Sequence, residues 1–179
     1  MSSIRQGLAA HEAGHAVVAA RLGLRLAPTA VALASECGWC FVEGPGGDAA
    51  TWLVRAWDRL EDGQADADTV AHMGWALELC RCNLLTILAG DLAAERLVPD
   101  SGVHGHADAH DIDELIAATT PRHECRAERL ALARASAASL VERNLGLIAA
   151  LTQHAAVHGK VTAWEVGEIT GLPVRVIDR

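Results

Sequence analysis

Apolar residues recur along the first part of the chain at alternating spacings of four and three. Ile4, Leu8, His11, His15, Val18 and Leu22 share one seam, which predicts a helix over residues 4–22 ended by Gly23. Two histidines thus fall inside an otherwise apolar stripe. Two short β-rich runs follow, at 29–34 and at 38–42, separated by a turn and closed by the breaker Gly44-Pro45-Gly46-Gly47. They are expected to form a hairpin, the only sheet in the chain. From Asp48 the pattern is helical: one amphipathic piece holds Trp52, Val54, Trp57 and Leu60 with Gly63 near its end, and a second spans 69–82. Residues 83–98 are apolar and rich in Ala89, Gly90, Ala93 and Ala94, a composition that lets two helices approach closely, and Pro99 helps to stop them. This piece is expected to pack on the first helix. A loop over 101–110 should precede a helix opened by Asp111 and stopping near Pro121, then helices at 124–143 and 145–158. A last short helix begins at Thr162-x-x-Glu165, the spacing of a capping box, and ends before Gly171 and Pro173.

This order of elements predicts a mainly α fold with one small hairpin beside the first helix. At 179 residues, about half of them hydrophobic, the chain suits one domain, 1–179, with sub-parts 1–121 and 122–179. A net charge of −8 with no basic stripe argues against a nucleic-acid partner. No uncharged apolar run of about eighteen residues predicts a membrane span, and no apolar signal region follows Met1. Five scattered cysteines suit a reducing compartment, so a cytoplasmic location is expected.

The chemistry concentrates in His11-Glu12-Ala13-Gly14-His15, an HExxH pattern. Residues four apart on a helix lie one above the other, so both imidazoles can reach one ion. Glu12 lies about 100° round the axis, placed to take a proton from water activated by that ion rather than to bind the ion itself. A lone histidine on an apolar stripe is usually a satisfied core residue. Two on one seam each need a buried partner, and a shared metal supplies both. The reading is a zinc metallopeptidase with one Zn2+ per chain, His11 and His15 as ligands and Glu12 as general base. Residues Gly38, Trp39, Cys40, Phe41 and Val42 are a candidate substrate strand, its free edge taking an extended peptide, or else simply half of a hairpin covering the core.

Several segments resemble the peptidase domain of the FtsH family of ATP-dependent zinc metalloproteases. His11-Glu12-Ala13-Gly14-His15-Ala16 resembles the family's zinc helix, Gly38-Trp39 its Gly-aromatic strand, and Gly90-Asp91-Leu92-Ala93-Ala94-Glu95 its Gly-Arg-Ala-Ala-Glu-Glu helix. The closing Thr162-Ala163-Trp164-Glu165-Val166 is similar to its helical tail. The resemblance implies a zincin-like helical peptidase domain and Asp111 as third ligand, from the stretch 105–112 that matches the family's aspartate segment. His110 or His106 could replace it, because histidines crowd that loop. Glu95 is a candidate to orient a ligand histidine, or a plain surface residue. Asp91 and Arg96 stand where the family usually has arginine and glutamate, and the segment from 44 to about 80 is longer than the family's connection and does not align with it. No Gly-x-x-x-x-Gly-Lys-Ser/Thr loop precedes the zinc helix, so the expected substrate is a flexible or unfolded protein segment, or one delivered by a separate ATPase.

Two rival readings remain. One is a catalytically idle interaction module of the same fold, against which the intact Glu12 argues. The other is a thiol redox or structural-zinc protein built on Cys37-Gly38-Trp39-Cys40, with Cys80 and Cys82 as a second pair.

Overall fold

Ser3–Leu22 forms helix α1. The Ser2 hydroxyl accepts from the Arg5 N–H at its start, and Gly23, at φ 75°, ends it in the left-handed region that favours glycine. Every residue from Gly7 to Ala20 is buried, so α1 runs through the middle of the protein rather than lying on it with one face inward. This differs from the single seam expected from the sequence. Alanine and glycine fill the other faces, and a helix that is small and apolar all round can be wrapped on every side. Ile4, the first residue of the expected seam, is exposed.

The computed structural model describes residues 2–42, 46–103 and 105–177. After α1 come β1 (Arg25–Leu33), β2 (Gly38–Val42), α2 (Gly46–Glu61), α3 (Ala67–Leu97), α4 (His106–Thr119), α5 (Arg126–His158), β3 (Lys160–Thr162), α6 (Ala163–Thr170) and β4 (Arg175–Val176). The protein is therefore mainly helical with a small sheet, as expected. Of the breaker expected at 44–47, residues 44 and 45 lie outside the described residues.

The sheet is larger than a hairpin. β1 is its middle strand, antiparallel to β2 on one side and to β3 on the other, with β4 adding a short parallel pairing at Arg25 and Leu26. β1 starts four residues before the expected strand and runs through Pro28. The register shifts between Leu26 and Val31, the kind of irregularity where a residue without an N–H is tolerated in a sheet. β3 has only three residues, too few to show a two-residue alternation in the sequence.

Two expected helix breaks do not occur. α3 runs unbroken through Cys82 and Asn83, and α5 through Arg143 and Asn144. In each case the asparagine amide donates to the carbonyl one turn back, Leu79 and Leu140 respectively, so the polar side chain is satisfied within the helix instead of ending it. Asn144 is also buried, and its Oδ1 accepts from Arg21 Nε at 2.7 Å, tying α5 to the end of α1.

One apolar cluster surrounds α1 and joins the sheet to α5 and α6 through Val17, Leu26, Val31, Leu151, Val161 and Val166. A second lies among α2, α3, α4 and the first half of α5, around Leu53, Leu85, Leu88 and Leu115. Leu22, Leu79, Leu92 and Leu140 touch both. α5, inside the expected sub-part 122–179, packs on α1, and its residues Ile148, Leu151 and Ala155 help to bury that helix.

Candidate metal centre

His11, Glu12 and His15 are all buried on α1, at 5%, 5% and 7% exposure. Burying three ionisable side chains together costs heavily unless partners meet them, and those partners come from α3 and α4. His15 Nδ1 lies 2.8 Å from the Thr86 carbonyl oxygen. A carbonyl only accepts, so Nδ1 carries the hydrogen and the neutral ring keeps its lone pair on Nε2. His11 Nδ1 lies 3.2 Å from Asp91 Oδ1 on α3, which favours the same tautomer. Asp91 Oδ1 also accepts the Gly105 N–H at 2.8 Å, so one carboxylate orients the His11 ring and anchors the start of α4.

α4 begins at His106, five residues earlier than expected, and this places Asp108 in its first turn. Asp108 Oδ2 stands 3.1 Å from His11 Nε2 and 3.4 Å from His15 Nε2, and the two Nε2 atoms are 2.9 Å apart. The buried Asp108 Oδ2 completes no hydrogen bond. Three ligand atoms thus converge on one small space, where either a proton shared with His11 or a bound metal ion offsets their mutual repulsion. Two imidazoles and a carboxylate are a donor set that suits zinc and neighbouring divalent ions. Among the described residues, His11, His15 and Asp108 are the one group of three whose ligand atoms all lie within 4.8 Å of one another, and they could hold a metal ion.

The acid gathered with the two histidines is thus Asp108, and the expected Asp111 lies outside the group. Asp111 is exposed one turn further along α4, and so is His110, whose direction on the helix differs from that of Asp108 by about 200°. The side chain of His106 lies outside the described residues. Glu95 is exposed on α3, and the carboxylate that meets a ligand histidine is Asp91 instead.

The close approach of α1 and α3 needs Gly90. A Cβ there would fall on His15 Cε1 and within 2.8 Å of His11 Cε1. Gly90→Ala is expected to displace both rings, to destabilise the protein by roughly 1–3 kcal/mol and to lower metal affinity. Thermal unfolding with and without zinc checks this; an alanine variant that unfolds and binds zinc like the wild type would show that the rings are not packed on Gly90.

Glu12 lies against β2, within electrostatic reach of His15, His11 and Asp108. A Cβ on Gly38 would stand 2.7 Å from both its Cγ and its Oε1, and the backbone N–H of Cys40 donates to its carboxylate. Burial raises the Glu12 pKa, opposed by the neighbouring His15 and His11, which makes the carboxylate a stronger base than a solvated one. β2 therefore lies directly against the candidate base. Its side chains alternate: Trp39 and Phe41 are exposed, at 47% and 45%, while Gly38, Cys40 and Val42 are half-buried.

That alternation bears on the cysteines. Cys37 and Cys40 are three steps apart on extended backbone, about 10 Å, and point to opposite faces, which no disulfide spans. Cys37 is exposed, and burial with the negative charges of Glu12 and Asp108 pushes the Cys40 thiol well up, away from the thiolate that redox chemistry needs. Cys80 and Cys82 sit in different apolar clusters on two sides of α3. A four-thiolate site does not assemble.

The chain matches no family model, no curated protein and no solved structure. Its chemistry is therefore read from its own residues.

Protonation of the trio has a definite sign. Burial opposes a charge on His11, but Asp108 and Asp91 outweigh it and raise its pKa from 6.5 to about 10. A raised value means that the charged ring stabilises the metal-free fold fully below about pH 6.5, and that this is lost as pH rises toward about 10. Asp108 behaves oppositely. Burial opposes its charge too, yet His11 and His15 hold its carboxyl well below the usual range, so its contribution is lost only in strong acid. An ion must displace the His11 proton, so zinc affinity is expected to rise about tenfold per pH unit from about pH 7 to about 9. Calorimetry in buffers of different ionisation heat should read about one proton released per ion. A pH-independent affinity would contradict it.

Proposed function

We propose that this chain is a zinc-dependent metalloendopeptidase that cuts flexible or unfolded protein segments. The observation that carries the reading is the convergence of His11 Nε2, His15 Nε2 and Asp108 Oδ2, with a buried carboxylate, Glu12, beside them and held against β2. His11, His15 and Asp108 would hold the ion. Zinc, when bound, supplies Lewis acidity that polarises a peptide carbonyl and acidifies a water molecule.

The protein's own residues supply the rest. Thr86 fixes the direction of the His15 imidazole, and Asp91 Oδ1 stands 3.2 Å from the buried His11 Nδ1, close enough to orient that ring by charge. Glu12, kept out of the ligand set and strengthened as a base by burial, takes the proton of the attacking water and passes it to the leaving amine. The Cys40 N–H holds one side of that carboxylate in place.

β2 is the last strand of its sheet, with no strand pairing on its outer edge among the described residues. An extended peptide laid along that edge makes main-chain hydrogen bonds and passes Glu12. Main-chain recognition makes cleavage tolerant of sequence, with Trp39 and Phe41 offering apolar contact to substrate side chains. No helix among the described residues is long and apolar enough to cross a membrane.

Chelation tests this reading. Casein hydrolysis by the purified protein should vanish after treatment with a zinc chelator and return on adding about one equivalent of Zn2+ per catalytic site. Hydrolysis that survives complete metal removal would sink the proposal.

A further inference from the structure

The last turn of α5 carries a second pair of histidines one helical turn apart. The rings of His154 and His158 have their centroids 4.3 Å apart. Across from them, in the first turn of α6, stands Glu165. Its orientation is fixed by the capping box: Oε2 accepts from the Thr162 N–H at 2.7 Å and the Thr162 hydroxyl at 2.8 Å, while Thr162 Oγ1 accepts from the Glu165 N–H. The other oxygen, Oε1, is left facing His154 Nε2 at 3.7 Å.

That distance is too long for a hydrogen bond, and His154 Nε2 is buried with no hydrogen-bond partner. It is close to the separation of two ligands on one ion, since donors about 2.1 Å from a tetrahedral metal stand about 3.4 Å from each other. The carbonyl end of α5, closed by Gly159 at φ 74°, favours positive charge here. Arg5 Nε donates to the Ala156 carbonyl at 2.8 Å at the same end of α5.

We propose that His154, His158 and Glu165 form a second site for a divalent transition ion of the zinc class, clipping the end of α5 to the start of α6. Two donors, His154 Nε2 and Glu165 Oε1, are preset. The third comes from His158, which is exposed and whose ring has to turn to join the other two, since the three ligand atoms do not lie within 4.8 Å of one another. Two imidazoles with one carboxylate select zinc or nickel over magnesium or calcium, which prefer oxygen alone. The clip spans β3, the strand that pairs with β1, so the ion would stiffen the sheet that carries β2. This site stands independently of the peptidase reading.

The test uses the full chain, freed of metal and dialysed against about 10 µM free Zn2+, with elemental analysis of bound zinc. Wild type should hold about two ions and His158→Ala about one, while His15→Ala loses the other ion and keeps this one. Imidazole NMR of the wild type should show the His154 and His158 signals shifting with the second equivalent. His158 is exposed, so its alanine variant should keep the fold, which circular dichroism checks. A second ion retained in a His154→Ala/His158→Ala double variant, or a wild type that binds a single ion lost with His15→Ala, overturns the proposal. A single ion retained in His15→Ala but lost in His158→Ala upholds this site and counts against the α1 centre.

Discussion

Casein cleavage should fall by about 10²–10⁴-fold when Glu12 is replaced by glutamine, with the metal still bound. The amide has nearly the shape of the carboxylate, and its oxygen can accept the Cys40 N–H in the same way. It cannot accept a proton at neutral pH. Because Glu12 lies outside the group formed by His11, His15 and Asp108, metal content should not change. Thermal stability should hold or rise, since a neutral amide is cheaper to bury than a carboxylate whose pKa burial has raised. Initial rates with elemental analysis of the same samples check all three. Activity retained in Glu12→Gln would remove Glu12 as the base, and lost metal would place it among the ligands.

The second large effect separates two aspartates one helical turn apart. Asp108→Ala should weaken zinc binding by more than about 100-fold, because it removes one of three gathered ligand atoms. Asp111→Ala should change it by less than about threefold, its side chain being exposed and outside the group. Asp108→Ala also removes the largest of the carboxylate contributions that hold the charge on His11, leaving Asp91 and Glu12, so the metal-free variant should lose stability at neutral pH. Competition with a zinc indicator reads both affinities. Equal losses in the two variants would mean that α4 starts elsewhere.

How far the sequence reveals this site depends on how local each relation is. His11, Glu12 and His15 lie within one and a half turns of a single helix, so their spacing alone puts them together. Asp108 was not legible. Asp108 and Asp111 fall on nearly the same face of α4, and choosing between them requires knowing where the helix begins. The run of Gly, His, Ala and Asp at 101–110 reads as a loop, yet its second half is helical from His106. The one signal available was an acid just after Gly105, where the start of a helix favours negative charge. Asp91 could not be found by spacing at all, because its contact with His11 exists only once α3 packs on α1. Glu95 fits the motif that points to such a role, but four residues along the same helix from Asp91 it faces solvent.

The fold shows the same division. α1, the β1–β2 hairpin and the capping box of α6 follow from local patterns. The unbroken lengths of α3 and α5 do not, because Asn83 and Asn144 carry a helix-stop signal that their side chains cancel by bonding back one turn. β3 emerges only through pairing with β1, across a separation of more than a hundred residues.

The most direct test of the central claim is anomalous diffraction at the zinc edge from crystals of the zinc-loaded protein. An anomalous peak is expected, bounded by His11 Nε2, His15 Nε2 and Asp108 Oδ2, with Glu12 beside it but not bound. A map with no peak at those three atoms, or with the ion held by Asp111 in place of Asp108, would contradict it.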